Sequence, residues 1–294
     1  MCRGYRRPLV PDATLPPVRT AVVGHVEWIE FGKVDHVPKA GEIVHATEWW
    51  EEPAGGGAVA AVQLHKLSGD CTFLTALGRD AVGKRAHLEL ESLGPRVEAA
   101  RRSEPTRRAV TFIDTSGERT ITTLGERLHP LAEDPLQWDE LASVDAVYLT
   151  AGDEAAVRAA RAARVLVATS RVMSLLAGAD VPLDALVGSR RDPAERFDPS
   201  VLSHRPGLIV WTDGMNGGEY ETGDGASGTY DAVPLPGPLV DTYGGGDSFA
   251  AGLTFALGAR YAVPEALRLA ATCGAWCVAG RGPYQGQLTA ADIH

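Results

Sequence analysis

Residues 240–252 read VDTYGGGDSFAAG and gather the residue types that chemistry on a phosphate requires. Gly244, Gly245 and Gly246 carry no side chains, so their backbone can approach a ligand closely. A helix beginning there aims successive N–H groups, and the positive end of its dipole, at that ligand and so forms an anion hole. Asp247 falls in the first turn beside the hole. It can take the proton of an attacking hydroxyl while the amides hold phosphoryl oxygens. Phosphoryl transfer needs this division of labour, because the step is mainly positioning and charge stabilisation. The plainer reading is a glycine-rich loop in which Asp247 caps a helix. Two features weigh against it: Asp241 lies six residues earlier at the end of an apolar stretch, and Ala250, Ala251 and Gly252 permit tight helix packing.

Two other glycine segments imitate nucleotide motifs. Residues 78–85, GRDAVGKR, follow a predicted strand and nearly spell a P-loop, but Arg85 stands where a Ser or Thr must ligate Mg2+. The run Gly55-Gly56-Gly57-Ala58-Val59-Ala60 fits G-x-G-x-x-A, with Asp80 about the right distance on, and would suit an NAD-dependent oxidoreductase. That fingerprint needs a buried strand immediately before it, and the charged EWWEEPA is a poor one. Fluorescence quenching by NADH, absent with ATP, would favour this rival.

The elements that must position these residues follow from periodicity. TAVVG is the first strand, and HVEWIEF continues extended, with Val26, Trp28 and Glu30 on one face and Glu27 and Ile29 on the other. IVHATEWW also reads as extended. The glycine run opens a helix, AVAAVQLHKLSG, that Gly69 stops. CTFLTALG is a buried strand, followed by a helix ending at LESLG. Residues 108–124 alternate around Thr115-Ser116-Gly117 as a hairpin. Strand and helix then alternate: DAVYLTAG, an alanine- and arginine-rich helix over 153–163, RVLVATS, then a short helix, DALVGS, and GLIVWTDG. A hairpin through 216–236 and helices from about Asp247 and Pro264 complete the chain. This rhythm predicts a parallel sheet with helices on both faces. The extended segments at 26–54 and 106–124 fall outside it and predict a small separate β-sheet.

The 294 residues give room for one large α/β domain or two small ones. A formal charge of −10 opposes general binding to a phosphate backbone, without excluding a local basic pocket for one nucleotide. No apolar run approaches the ~18 residues of a membrane span. The four cysteines form no CxxC and read as reduced thiols of a cytoplasmic protein. Residues 1–18, with Arg3, Arg6, Arg7 and then prolines, lack a secretory apolar stretch and read as a disordered extension.

VDTYGGGDSFAAGL resembles the C-terminal signature of the ribokinase family, also called the PfkB carbohydrate kinases, whose pattern is roughly D-T-x-G-A-G-D-x-F-x-x-G. AVVGHVEWIEF resembles that family's first strand, KAGEIV its P-G-E turn, and GGGAVAAVQLHKLSG its N-terminal glycine motif. TALGRDAVG resembles its G-x-D-x-x-G segment and WTDGMNGG its T-x-G-x-x-G turn, so the likeness spans about residues 19–292. The resemblance implies a ribokinase-like three-layer α/β sandwich with a mostly parallel central sheet and a small β-sheet lid. Residues 19–29, 55–105 and 125–294 would form the kinase core, and 30–54 and 106–124 the lid. It implies an ATP- and Mg2+-dependent kinase acting on a sugar or nucleoside; the acidic charge and the lack of a long apolar run separately argue against nucleic-acid and membrane partners. By matching position Asp247 would be the general base and Gly244, Gly245 and Gly246 the anion hole. Thr212, Gly214 and Gly217 would lie near ATP. Ser189 and Asp192 stand in place of the family's N-x-x-E, with Asp192 organising Mg2+ through water. Asp241 matches a position that holds a monovalent cation, such as K+, in several relatives; fixing the loop is the other reading.

The acceptor end departs from the family. Glu27 and Ile29 stand where relatives have asparagine and aspartate, and Ala60 replaces an asparagine of the glycine motif. Sites built to bond a hydroxyl change preference when those groups change, so ribose itself is a poor expectation. Glu27, Gly55, Gly56, Gly57 and Arg108, reaching in from the lid hairpin, are the expected acceptor residues; surface exposure is the other reading of Glu27, and a solvated strand face that of Arg108. Trp28, Trp49 and Trp50 either stack on the acceptor or pack the lid. The lid would also carry a homodimer contact. A sugar-binding sensor that keeps the fold without catalysis is the non-enzymatic alternative; ligand binding without ADP release would distinguish it.

Overall fold

The computed structural model describes residues 17–293. Its core is a nine-stranded sheet formed from β1 (Thr20–Val23), β4 (Cys71–Gly78), β5 (Arg96–Arg102), β8 (Ala146–Leu149), β9 (Val165–Thr169), β10 (Ala185–Ser189), β11 (Leu208–Thr212), β12 (Gly218–Thr222) and β13 (Ser227–Tyr230). The order is β13-β12-β11-β10-β9-β8-β1-β4-β5. All pairs from β11 to β5 are parallel, and β12 and β13 add an antiparallel edge. The inner parallel strands are largely apolar because both faces are covered, and every residue of β4 and β9 is buried, whereas the edge strand β5 is mixed; β10 is a strand where DALVGS was expected to be a short helix.

Helices α1 (Gly56–Ser68), α5 (Gly245–Gly258) and α6 (Val263–Cys277) pack into the larger core cluster on one face. On the other face, α3 (Glu154–Ala160) and α4 (Met173–Ala179) cover Ala21, Val23, Leu149 and Leu166. α2 (Ala81–Ser92) packs against β4 and β5, and α7 (Ala290–Ile293) closes the chain. α2 shows why residues 78–85 are no P-loop. Asp80 caps the helix by accepting from Gly83 N at 2.9 Å and also takes the Thr106 hydroxyl at 2.8 Å, so a carboxylate fills the loop.

A second sheet holds β2 (Glu27–Lys33), β3 (Glu48–Ala54), β6 (Arg108–Ile113) and β7 (Arg119–Leu124) in the order β3-β2-β6-β7. It begins at Glu27, three residues before the expected boundary, because Gly24 ends the core strand and the chain re-pairs at once. Residues 43–47, expected to be extended, are not strand. Of the predicted extension, residues 1–16 lie outside the described residues, whereas Val18 is buried in the core. Trp28 is buried beneath the Arg85 guanidinium, and Trp50 stacks on Phe31 with ring centroids 5.0 Å apart, so both pack the sheet. Trp49 is exposed. Cys71, Cys273 and Cys277 are free and buried; Cys2 lies outside the described residues.

Candidate active site

The carboxyl ends of the parallel strands point to one edge of the core, where α/β sheets bind ligands at the crevice between strands that diverge in order. Here that crevice lies between β1 and β8. His25 follows β1 past Gly24, Thr150 follows β8, Arg171 lies just beyond β9, Ser189 and Thr212 end β10 and β11, and the N-terminus of α5 belongs to the same edge.

Gly244 adopts φ 81° and turns the chain into α5, whose start no side chain caps. The first-turn N–H groups are thus left for a ligand. A Cβ on Gly246 would meet nothing within 4 Å, so open space lies in front of it. Asp247 sits in this turn. Protein encloses it while one side still reaches solvent. Its pKa is pushed up to about 6, by burial first and then by Glu195, with Arg171 and Arg119 opposing and Glu27 adding to the rise. A carboxyl poised there is ionised at neutral pH yet basic enough to accept a proton.

The glycine run lies directly against it. A Cβ on Gly56 would fall 2.8 Å from Asp247 Oδ1 and 3.6 Å from His25 Cε1. Gly55 N donates to the buried Tyr243 hydroxyl at 3.1 Å, which joins the run to the loop before α5. His25 is buried with Nδ1 3.4 Å from Thr150 Oγ1. Burial, and then the positive charges of Arg127, Arg107, Arg171 and His129, hold its pKa well below the ordinary value, so the ring is neutral at pH 7.

Glu27 is buried and pairs with Arg107 at 3.3 Å. Arg108, the expected inward arginine, instead faces out and pairs with Glu30 on the neighbouring strand. Strand parity is the reason: Arg107 shares its side of the ladder with the buried Ala109 and Thr111, and Arg108 with Val110 and Phe112.

Asp192 pairs with Arg171 and caps a short turn through Ala194 N at 2.9 Å, while Ser189 Oγ accepts from Arg191 N at 3.1 Å. Glu195 also holds Arg171, at 2.8 Å, and burial raises its pKa. Among the described residues, no group of three or more His, Cys, Asp or Glu could hold a metal. Thr212 ends β11 just before the Gly214–Asn216 turn, and Gly214 and the following Gly217 take φ 56° and 79°. Asp241 is buried, and its oxygens accept from Tyr243 N at 2.8 Å and Gly282 N at 3.1 Å, tying two loops together. The tip of the β6–β7 hairpin reaches the same loop: Thr242 N donates to Gly117 O at 3.1 Å, and Arg119 donates to Thr242 O at 3.2 Å.

Asp247, the three glycines before it, Gly55, Gly56, Gly57 and Glu27 therefore converge, whereas Arg108 does not. Sequence reasoning passed over His25, Arg107, Arg119, Arg127, Arg171, Glu195 and Tyr243. For His25 a signal existed, since it directly follows the glycine that ends the first strand.

The sequence profile of the pfkB family carbohydrate kinases matches residues 19–180 and 162–290. The chain belongs to this family. An ATP-dependent ribose-1-phosphate kinase of Halopiger xanaduensis is 31% identical over 283 residues, covering 90% of this chain and 93% of that one. A ribokinase of Arabidopsis thaliana is 25% identical over 92% of this chain and 78% of the relative. In fold, the Thermotoga maritima ribokinase superposes with a TM-score of 0.75 at 21% identity, covering 94% and 98% of the two chains. The Arabidopsis thaliana ribokinase complexed with ribose and ATP gives 0.72 at 20% identity, covering 95% and 98%. The protein is thus a carbohydrate kinase on the ribokinase fold.

Proposed function

We propose that the protein moves the γ-phosphoryl group of ATP to a sugar hydroxyl, with Asp247 as the general base. The observation that carries this is the carboxyl of Asp247 at the uncapped glycine start of α5, against Gly56, with its pKa near 6. The acceptor lies between Glu27, His25 and residues 55–57, with its hydroxyl against Asp247. Asp247 removes the proton as the oxygen attacks phosphorus in line, and the N–H groups of Gly245 and Gly246 hold the phosphoryl oxygens. ATP lies across Thr212, Gly214 and Gly217. Neutral His25 adds shape without a competing charge.

Mg2+, when bound, neutralises the ATP phosphates and orders them. Asp192 and Glu195, both engaged by Arg171, are the carboxylates that would hold the ion, through water. Asp241 is the carboxylate that would serve a K+ ion, alongside backbone carbonyls. The second sheet acts as the lid, and the hairpin tip on Thr242 latches it against water.

The relatives named above act on ribose 1-phosphate or carry the name ribokinase, so the acceptor is of pentose size. The test is ADP release from ATP·Mg2+ across sugars, sugar phosphates, sugar acids and nucleosides. A hit that Asp247→Asn lowers about 10^3-fold, with ATP affinity kept, supports the reading. Equal turnover in Asp247→Asn refutes it. Sugar binding without ADP release would make the protein a sensor.

A further inference from the structure

Two arginines lie near Glu27, and only Arg107 pairs with it. Arg107 touches Glu27, but its Nε is buried without a partner. Arg127, in the segment after β7, also has a buried Nε without a partner, and no ion pair joins it to any described residue. Glu27 and Asp247 act on it only at longer range. An Nε–H withdrawn from water without an acceptor is costly, so this corner leaves two donors unmatched. The other arginines of the site are differently placed. Arg171 is matched by Asp192 and Glu195, and Arg119 is bound to Thr242; both act on Asp247. Arg107 and Arg127 act on His25, as Arg171 also does, and His25 follows β1, four strands along the sheet from the β11 that ends in Thr212.

Resting on the reading of Asp247 as the base, we propose that Arg107 and Arg127 form an anion subsite that receives a phosphate group already present on the sugar, so that the acceptor is a sugar monophosphate and the product a sugar bisphosphate. Two guanidiniums with unpaired Nε–H donors match the oxygens of a phosphate dianion, which accept several such bonds at once. Glu27 then holds Arg107 in place and accepts a sugar hydroxyl with its remaining lone pairs. In the transfer, the free hydroxyl oxygen bonds to Pγ, the Pγ–O bond to ADP breaks, and the proton goes to Asp247. The acceptor's own phosphate takes no part in bond-making. The absence of the asparagine and aspartate at positions 27 and 29 fits the same assignment, since charge replaces hydroxyl contacts as the means of recognition.

The first measurement is calorimetric binding of ribose 1-phosphate and of ribose to the folded Asp247→Asn enzyme. Ribose 1-phosphate should bind at least about 30-fold more tightly, and Arg127→Met on that background should remove most of the difference. Arg127→Lys should restore part of it, which a folding defect would not allow. Inorganic phosphate should compete with ribose 1-phosphate on the wild-type chain. Ribose binding as tightly as ribose 1-phosphate, or a ratio unmoved by Arg127→Met, overturns the subsite. Turnover on the wild type separates the two claims. A strong binding preference without ADP release leaves the subsite standing and removes the kinase reading. Equal turnover of ribose and ribose 1-phosphate does the reverse.

Discussion

As the proposed base, Asp247 should set the acid limit of catalysis. With its pKa near 6, raised by burial and by Glu195, kcat/KM should fall below about pH 6 as the base takes up a proton. Glu195→Gln removes a negative neighbour and should move that limb to lower pH; a limb that stays in place would separate Glu195 from the base. The same shift bears on stability. The folded carboxyl binds its proton more tightly than the unfolded one, so its contribution is full below the unfolded value and is lost as pH rises through about 6. Asp247→Asn should therefore gain more in melting temperature over wild type at pH 8 than at pH 5. Gly56→Ala separates structure from chemistry. Its Cβ would fall 2.8 Å from the movable carboxylate of Asp247, so the fold should melt at nearly the wild-type temperature while kcat drops about 100-fold. At this scale the sequence displays Asp247 because base and glycines are contiguous. His25, Arg127 and Glu195 are not displayed, because what makes them matter is groups distant in sequence: Arg127 acts on His25, and Glu195 on Asp247.

Among the elements, β6 turns on parity. Arg107 and Arg108 look equivalent in sequence, and the register Trp28↔Arg108 sends one to Glu27 and the other to Glu30. Arg108→Ala should leave both Michaelis constants within about twofold, whereas Arg107→Ala should raise that of the acceptor alone, as the loss of a partly buried charged contact does. A strand beginning within a run of two arginines gives no sequence cue to its phase. Hairpin position, by contrast, was legible, since Ser116-Gly117 can hardly be other than a turn. α5 was legible too: three glycines followed by small residues mark both its start and its packing face. Residues 43–47 misled because β-branched residues alone do not make a strand without a partner to pair with.

Across the whole molecule, the alternation of strands and helices announced the parallel sheet and its two helical layers. The order of strands was hidden, because it depends on which crossovers turn which way along the sheet. The second sheet leaves β7 as an outer strand with all six residues exposed, Ile121 and Leu124 among them. An uncovered edge of that kind pairs readily with another strand. We expect β7 to meet its copy in a homodimer, and Thr122→Pro to yield monomers in sedimentation velocity; an unchanged sedimentation coefficient would place the contact elsewhere or nowhere. At the heart of the molecule, Gly24 and Gly57 meet main chain to main chain. A Cβ on Gly24 would lie 2.7 Å from Gly57 Cα, and one on Gly57 2.7 Å from His25 N. Each residue fills the space the other's side chain would need. Over descent, neither can change first without loss, and changing both only doubles the collision. Drift at this seam is therefore closed in every direction, and lineages that keep the acceptor loop seated on the first strand should inherit the pair intact however far their surfaces diverge.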